Sequence, residues 1–281
     1  MSYTLIEPCC GSAAFSLHLL GARRAIVPYQ GSKWKFRADL RAQAEALGFV
    51  GVPDRLVLTD PGPWGTAIGV VLDAQRRPRL RARLAELAAQ DPATVYARLH
   101  GGCPPTDAVA FSAEFLFLQR LAFSGKAAGA APRWASPGFN KTSAYGVAAT
   151  ERFGAVRPMV PSLIGVLEGF DQQLATSVHV DARRAPADVP SAVAGPTLVY
   201  LDPPYVGATA YPDGAMTRAQ VAELASAWLA AGATVMISEQ HALELAGWQR
   251  DQIYAGRKDT SPFRGKQPEW LTYAGAGAPQ C

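Results

Sequence analysis

The run Thr197-Leu198-Val199-Tyr200-Leu201 ends abruptly at Asp202-Pro203-Pro204-Tyr205. A short run with no polar alternation reads as a buried strand rather than one with a wet face. The two prolines have fixed φ and stop it. Similar strands recur along the chain, separated by helical patterns. Strands are expected at Tyr3–Ile6, Arg55–Asp60, Ser177–Asp181 and Thr234–Ser238, with a β-hairpin within Gly256–Tyr273. Helices are expected at Phe15–Leu20, from about Trp34 to Leu47, over the Leu-, Ala- and Arg-rich stretch to Gln90, and at Phe111–Phe123, Pro161–Leu174 and Arg218–Ala231. Gly125 to Gly146 reads as a long Gly- and Pro-punctuated loop. Alternation of this kind predicts an α/β fold built on an open, mainly parallel sheet. Such sheets bind ligands at the carboxyl ends of their strands.

The chain has 281 residues, enough for one large α/β domain with an insertion or for two small domains. With 49% hydrophobic and 18% charged residues it can bury a core. A net charge of +4 permits a nucleic-acid partner without demanding one. Arg76, Arg77, Arg79, Arg81 and Arg83 concentrate part of that charge. Cys9, Cys10, Cys103 and Cys281 show no Cys-x-x-Cys or Cys/His spacing, so neither a disulfide framework nor a metal site is signalled, and a reducing cytoplasm fits. No signal peptide and no apolar run of about 18 residues is present, so a protein that does not span a membrane is expected.

Several strand ends carry residues suited to chemistry. After the strand that ends in Asp202, the carboxylate and the Pro203 carbonyl could each accept one hydrogen of a planar amino group, such as that on C6 of adenine. Pulling the nitrogen toward a tetrahedral shape would free its lone pair. Tyr205 could stack on the base, although a Pro-rich turn with a packed tyrosine would have the same sequence. Glu7-Pro8-Cys9-Cys10-Gly11-Ser12-Ala13 is a strand-to-helix turn whose small residues let a ligand approach the backbone. Asp60 ends the next strand, where a carboxylate can bind ribose hydroxyls or simply serve the turn. Asp181 also follows a strand, where it could hydrogen-bond an adenine amino group or simply serve the turn. Lys33 suits an anionic group, or is a solvated lysine at a helix start.

Asp202-Pro203-Pro204-Tyr205, Glu7-Pro8-x-x-Gly11-Ser12 and Tyr29-x-Gly31-Ser32-Lys33 together resemble the DNA N6-adenine methyltransferases of the Dam type. Two further stretches agree: Phe117 to Gly125 followed by Gly138-Phe139-Asn140-Lys141, and Ser261-Pro262-Phe263-Arg264 with Glu269-Trp270-Leu271, which resembles phage-like members. The resemblance covers most of the chain. It implies a Rossmann-like sheet that uses S-adenosylmethionine, with residues 1–65 and 161–281 forming the methyltransferase domain and 66–160 an inserted, mostly helical DNA-recognition region. It implies that Asp202, Pro203, Pro204 and Tyr205 hold the target base. The cofactor set it implies is Glu7, Pro8, Cys9, Cys10, Gly11, Ser12, Ala13, Tyr29, Gln30, Lys33, Asp60, Asp181 and Asp202. Arg120, Lys126, Arg133, Asn140, Lys141, Arg264 and Lys266 fall in the segments that face DNA. No metal is implied.

The chain departs from that family in four places. Ala13 stands where a second glycine is usual, Cys9 where phenylalanine is usual, and Gln119 where asparagine is usual. The Tyr29–Lys33 element follows the Glu7 strand, whereas in the family it precedes it. The resemblance implies double-stranded DNA as partner, a cytoplasmic, nucleoid-associated protein, a monomer or dimer, and a companion restriction endonuclease as one setting. Other amino-group substrates, an RNA base or a protein glutamine amide, use related acid- or amide-Pro-Pro-Tyr strands. A non-catalytic DNA-binding relative is the remaining alternative.

Overall fold

The computed structural model describes residues 2–27, 32–122, 129, 133–136, 138–146, 158–186, 188–203, 216–253 and 269–275. Seven strands form one sheet: β1 (Thr4–Glu7), β2 (Arg55–Asp60), β3 (His179–Arg184), β4 (Thr197–Leu201), β5 (Thr234–Glu239), β6 (Gln249–Ile253) and β7 (Glu269–Ala274). Their order is β3-β2-β1-β4-β5-β7-β6, and only β7 runs against the others. The architecture is α/β with a mostly parallel mixed sheet, compatible with a Rossmann-like fold. The strand sequence explains the order of exposure. β4 and β5 are buried at every position, as strands covered on both faces must be. β3 reads His-Val-Asp-Ala-Arg-Arg and forms an edge, where charges discourage further pairing.

The pleat sorts the side chains into two layers. Strand register puts Leu5, Leu56, Leu58, Leu198, Tyr200, Met236, Leu271 and Tyr273 on one face, within the larger core cluster. The opposite face presents Ile6, Val199, Leu201, Val235 and Ile237 to Val221, Ala225 and Trp228 of a single helix, Arg218–Ala230. That helix starts on a capping box between Thr217 and Gln220.

The larger face carries α1 (Ala14–Leu19), a 3-10 turn (Lys33–Phe36) and α2 (Arg37–Ala46), then the long crossover from β2 to β3. The crossover contains α3 (Pro63–Leu72), α4 (Arg76–Ala88), α5 (Pro92–Leu99), α6 (Ala108–Leu121), α7 (Lys141–Tyr145) and α8 (Met159–Gln173); the Arg218–Ala230 helix is α9. Val71, Leu80, Phe115, Phe117 and Leu167 of the crossover belong to the same buried cluster as Leu5 and Leu56 of the sheet. Helices of segment 66–160 therefore share the sheet's core. α3 lies so close to β3 that a Cβ on Gly65 would come within 2.5 Å of the Arg183 carbonyl oxygen, and one on Gly69 within 2.8 Å of that of Ala182.

Four sequence expectations are revised. The helical stretch to Gln90 breaks at Asp73, whose Oδ1 accepts from the backbone N–H groups of Gln75 and Arg76 and starts α4. α5 was not signalled by hydrophobic periodicity; its markers are an Asp91 cap and Pro92. β3 runs on to Arg184. The C-terminal hairpin is made by Gln249–Ile253 and Glu269–Ala274, so its first strand precedes the expected segment. Among the described residues no helix is long and apolar enough to cross a membrane.

Candidate active site

The strand order reverses direction between β1 and β4, and the crevice at such a switch point is where open α/β sheets bind ligands. Glu7 ends β1, Asp60 ends β2 and Asp202 follows β4. Register and pleat put all three on the larger-core face.

Glu7 turns inward. Its Oε1 accepts from the Ser16 N–H at 2.9 Å and from the Ser16 hydroxyl, tying the end of β1 to α1. Burial pushes its carboxyl up from 4.5 to about 8, against the two bonds from Ser16. Asp60 clamps two turns: Oδ2 accepts from Gly11 N–H at 3.1 Å and Oδ1 from Gly62 N–H at 2.8 Å. Thr59 reinforces this by donating its hydroxyl to the Pro8 carbonyl and accepting from Cys10 N–H at its own. Between these turns Gly11 and Ala13 have φ of +46° and +48°. Ala13 is thus an L-residue in the left-handed region, at the position where the resembled family has glycine. Burial pushes the Cys9 thiol up to about 12, with Asp60 and Asp202 adding to the effect, so it stays protonated. Burial also pushes up the Cys10 thiol.

The 3-10 turn reaches this cluster from above. Ser12 donates its hydroxyl to Ser32 Oγ at 3.2 Å, and Trp34 N–H bonds the same oxygen. Lys33 is 4% exposed and places Nζ 2.7 Å from Asp202 Oδ1 and 3.7 Å from Glu269 Oε1. The element that follows β1 in sequence, where the resembled family has it before, is tied to the β1 turn at Ser32 and brought across to the ends of β4 and β7 by Lys33. Lys33, expected to contact a cofactor, is paired with protein carboxylates. Asp202 is also bonded by Ser238 Oγ at 3.2 Å. Burial raises its carboxyl above the ordinary value, and Lys33 and Ser238 oppose the rise.

Asp181 is not brought to this cluster. It was expected to follow a strand; instead it lies within β3, opposite Val57, on the other face from Asp60. At the edge of the sheet it lines a cavity of about 450 Å³ with Thr66, Gly69, Arg76 and Arg183. Pro203 is buried beside Asp202. Pro204, Tyr205, Tyr29 and Gln30 lie outside the described residues.

The expected DNA-facing residues scatter. Arg120 is half-buried and donates Nε to the Met159 carbonyl at 3.2 Å, tying α6 to α8; burial lowers its guanidinium to about 10. Arg133 is exposed and reaches the Gly101 carbonyl at 3.4 Å. Asn140 precedes α7, its N–H donating to Leu121 and its carbonyl accepting from Ala144, and Lys141 is exposed at the helix start. Lys126, Arg264 and Lys266 lie outside the described residues. In the arginine-rich helix Arg77 and Arg81 both pair with Asp171 of α8, Arg76 with Asp73 and Arg83 with Glu86.

Sequence reasoning missed Ser238, Tyr200 and Glu269 as members of the site. A serine ending an apolar strand gives no signal unless the pairing of β4 with β5 is known. The described residues thus gather carboxylates at the carboxyl ends of β1, β2 and β4, at the switch point of an α/β sheet. No protein-family model matches the chain, and no curated protein sequence does.

Proposed function

We propose that the protein is an S-adenosylmethionine-dependent methyltransferase acting on N6 of an adenine in DNA. The observation that carries this reading is the position of Asp202: its carboxylate stands at the switch point beside β1, with Oδ1 held by Lys33 and Ser238. An acceptor fixed there suits a substrate amino group.

The surrounding residues fit the cofactor's chemistry. S-adenosylmethionine is a cation with a ribose diol, and the strand ends offer the Asp60 carboxylate beside the close-approach backbone of Gly11, Ser12 and Ala13. Bound there, it would supply an electrophilic methyl group. Asp202 and the Pro203 carbonyl accept the two amino hydrogens and favour the charge that develops on the nitrogen. Alignment of the amino group accounts for much of the remaining rate. In a duplex the base must leave the stack before its amino group can enter such a crevice.

One observation keeps other amino-group substrates in play. Four of the five clustered arginines pair with acids of the chain itself, and Arg120 ties α6 to the Met159 carbonyl. An RNA base or a protein glutamine amide would need no DNA-recognition surface in the crossover. The test is transfer of labelled methyl from S-adenosylmethionine to duplex DNA, RNA and protein, alongside a cofactor-binding titration. Label in DNA adenine supports the proposal, and label in RNA or protein moves it to those substrates. Cofactor binding without transfer to any of them would mark a non-catalytic relative.

A further inference from the structure

The site holds a hydrogen-bonded chain that neither the motif reading nor the proposed mechanism uses. Tyr200 precedes Asp202 by one full pleat on β4, so both side chains leave the same face. Leu201 pairs with Ile237, which puts Ser238 of β5 beside Asp202. Ser238 is fully buried and lies 2.8 Å from the Tyr200 hydroxyl and 3.2 Å from Asp202 Oδ1. Its single hydroxyl hydrogen can serve only one of them. An ionised carboxylate only accepts, so Ser238 donates to Asp202 and Tyr200 must donate to Ser238. Burial keeps the Tyr200 phenol protonated and able to do so.

Both protein contacts to Asp202 among the described residues, from Ser238 and Lys33, fall on Oδ1. We propose that Tyr200 and Ser238 are positioning residues which, with Lys33, pin Oδ1 and so fix the rotation of the carboxylate, turning Oδ2 toward the substrate amino group. The proposal rests on the methyltransferase reading for its substrate, but the chain itself can be tested without one. The ionisable groups around Asp202 are Lys33 from the 3-10 turn, Glu7 at the end of β1 and Cys9 just after it, Tyr200 of β4 and Glu269 of β7 beyond Lys33, with Glu239 of β5 within electrostatic range from the other face. Burial makes ionisation of Asp202 harder, so donors to its charged form matter more.

The experiment compares Ser238→Ala, Tyr200→Phe and the double variant. First, the Asp202 carboxyl is titrated by carbon-13 NMR in the protein alone. Loss of the Ser238 donor is expected to raise its pKa by about one unit, a tenfold change in ionisation constant. Tyr200→Phe should move it in the same direction by less. Second, methyl transfer is measured against pH. Ser238→Ala should lower kcat about tenfold, move the acidic limb upward and leave the KM for S-adenosylmethionine unchanged. Because Tyr200 acts through Ser238, the double variant should match Ser238→Ala. A carboxyl titration unmoved by Ser238→Ala, or strictly additive losses, would overturn the proposal in favour of a buried pair that only packs. If the wild-type protein transfers no methyl group to any substrate, the methyltransferase reading fails; the titration still decides whether the chain orients Asp202.

Discussion

The turns at the carboxyl ends of β1, β2 and β4 and the crossover helices between β2 and β3 both bury charge, but to different ends. In the crossover, Arg77 is 4% exposed and fully used: Nε donates to the Val71 carbonyl and a guanidinium nitrogen lies 2.7 Å from Asp171. Its bonds join α4 to the end of α3 and to α8. At the site, Glu7, Asp202, Glu239 and Glu269 crowd together, and burial raises the carboxyls of Glu7, Asp202 and Glu239. Lys33 bridges two of these acids and Arg218 lies 3.6 Å from a third. A region built for stability pairs its charges across helices. Carboxylates crowded at strand ends give up stability, and perturbed acids of this kind concentrate at functional sites.

The sharpest way to break this contrast is at Asp202. Asp202→Asn keeps the shape but removes a charge-bearing acceptor. Methyl transfer is expected to fall by at least about 100-fold, the scale of losing one preorganised electrostatic contact. Affinity for S-adenosylmethionine, measured by calorimetry, should stay within a few-fold. Turnover near wild type on saturating DNA would remove Asp202 from the proposed mechanism.

The opposite result is expected in the crossover. Arg77→Ala deletes a buried cation and leaves the Val71 carbonyl short of a donor, at a cost of about 3 kcal/mol. Denaturant melts should register that loss, while kcat at a temperature well below the melt should be unchanged. A variant equally stable but slower would show that the crossover reaches into the chemistry.

A smaller, pH-dependent effect is expected at Glu7. Its carboxyl is raised from 4.5 to about 8 by burial. The folded state then holds a proton that the unfolded chain releases, so this contribution is complete below about pH 4.5 and is lost as pH rises through 8. Glu7→Gln keeps an acceptor for the Ser16 N–H and removes the titration. Wild-type stability should decline from pH 5 to 8 by an amount on the order of a few kcal/mol, and the variant's should decline less. Parallel curves for the two proteins would mean that Glu7 is already ionised in the folded state.

The two regions also differ in how far the sequence alone reveals them. Thr197–Leu201 and Arg55–Asp60 are strands with the bounds their apolar runs suggest. Asp60 and Asp202 could be placed at strand ends because an apolar run that stops at an acid has few other readings. Asp181 could not, since the edge strand β3 continues through charged residues that look like a turn. Arg120 and the arginines of α4 read as surface charge, because a buried arginine is recognisable only once its partner, Met159 or Asp171, is known to be adjacent. Ser238 and Glu269 depend on long-range register in the same way. The crossing of Lys33 to β4 is a tertiary fact with no local signal.

The smallest expected effect lies at Ala13, where the turn departs from the resembled glycine. Its φ of +48° and ψ of 43° put Cβ against the following carbonyl, a conformation that costs an L-residue roughly 1–2 kcal/mol. Its Cβ is fully buried, and its backbone N–H and carbonyl bond Cys10 and Leu17, so the surrounding contacts hold the angle. Ala13→Gly relieves the strain but adds chain entropy to the unfolded state, which offsets about 0.5–1 kcal/mol. The net gain should be below about 1 kcal/mol, read as a small rise in Tm. A turn so constrained also keeps Gly11 and Ser12 fixed beside Asp60. If Ala13→Gly raises Tm while weakening cofactor affinity, rigidity of the turn matters for binding. If it lowers Tm, the methyl group packs well enough to outweigh the strain, and the left-handed angle carries no net cost here.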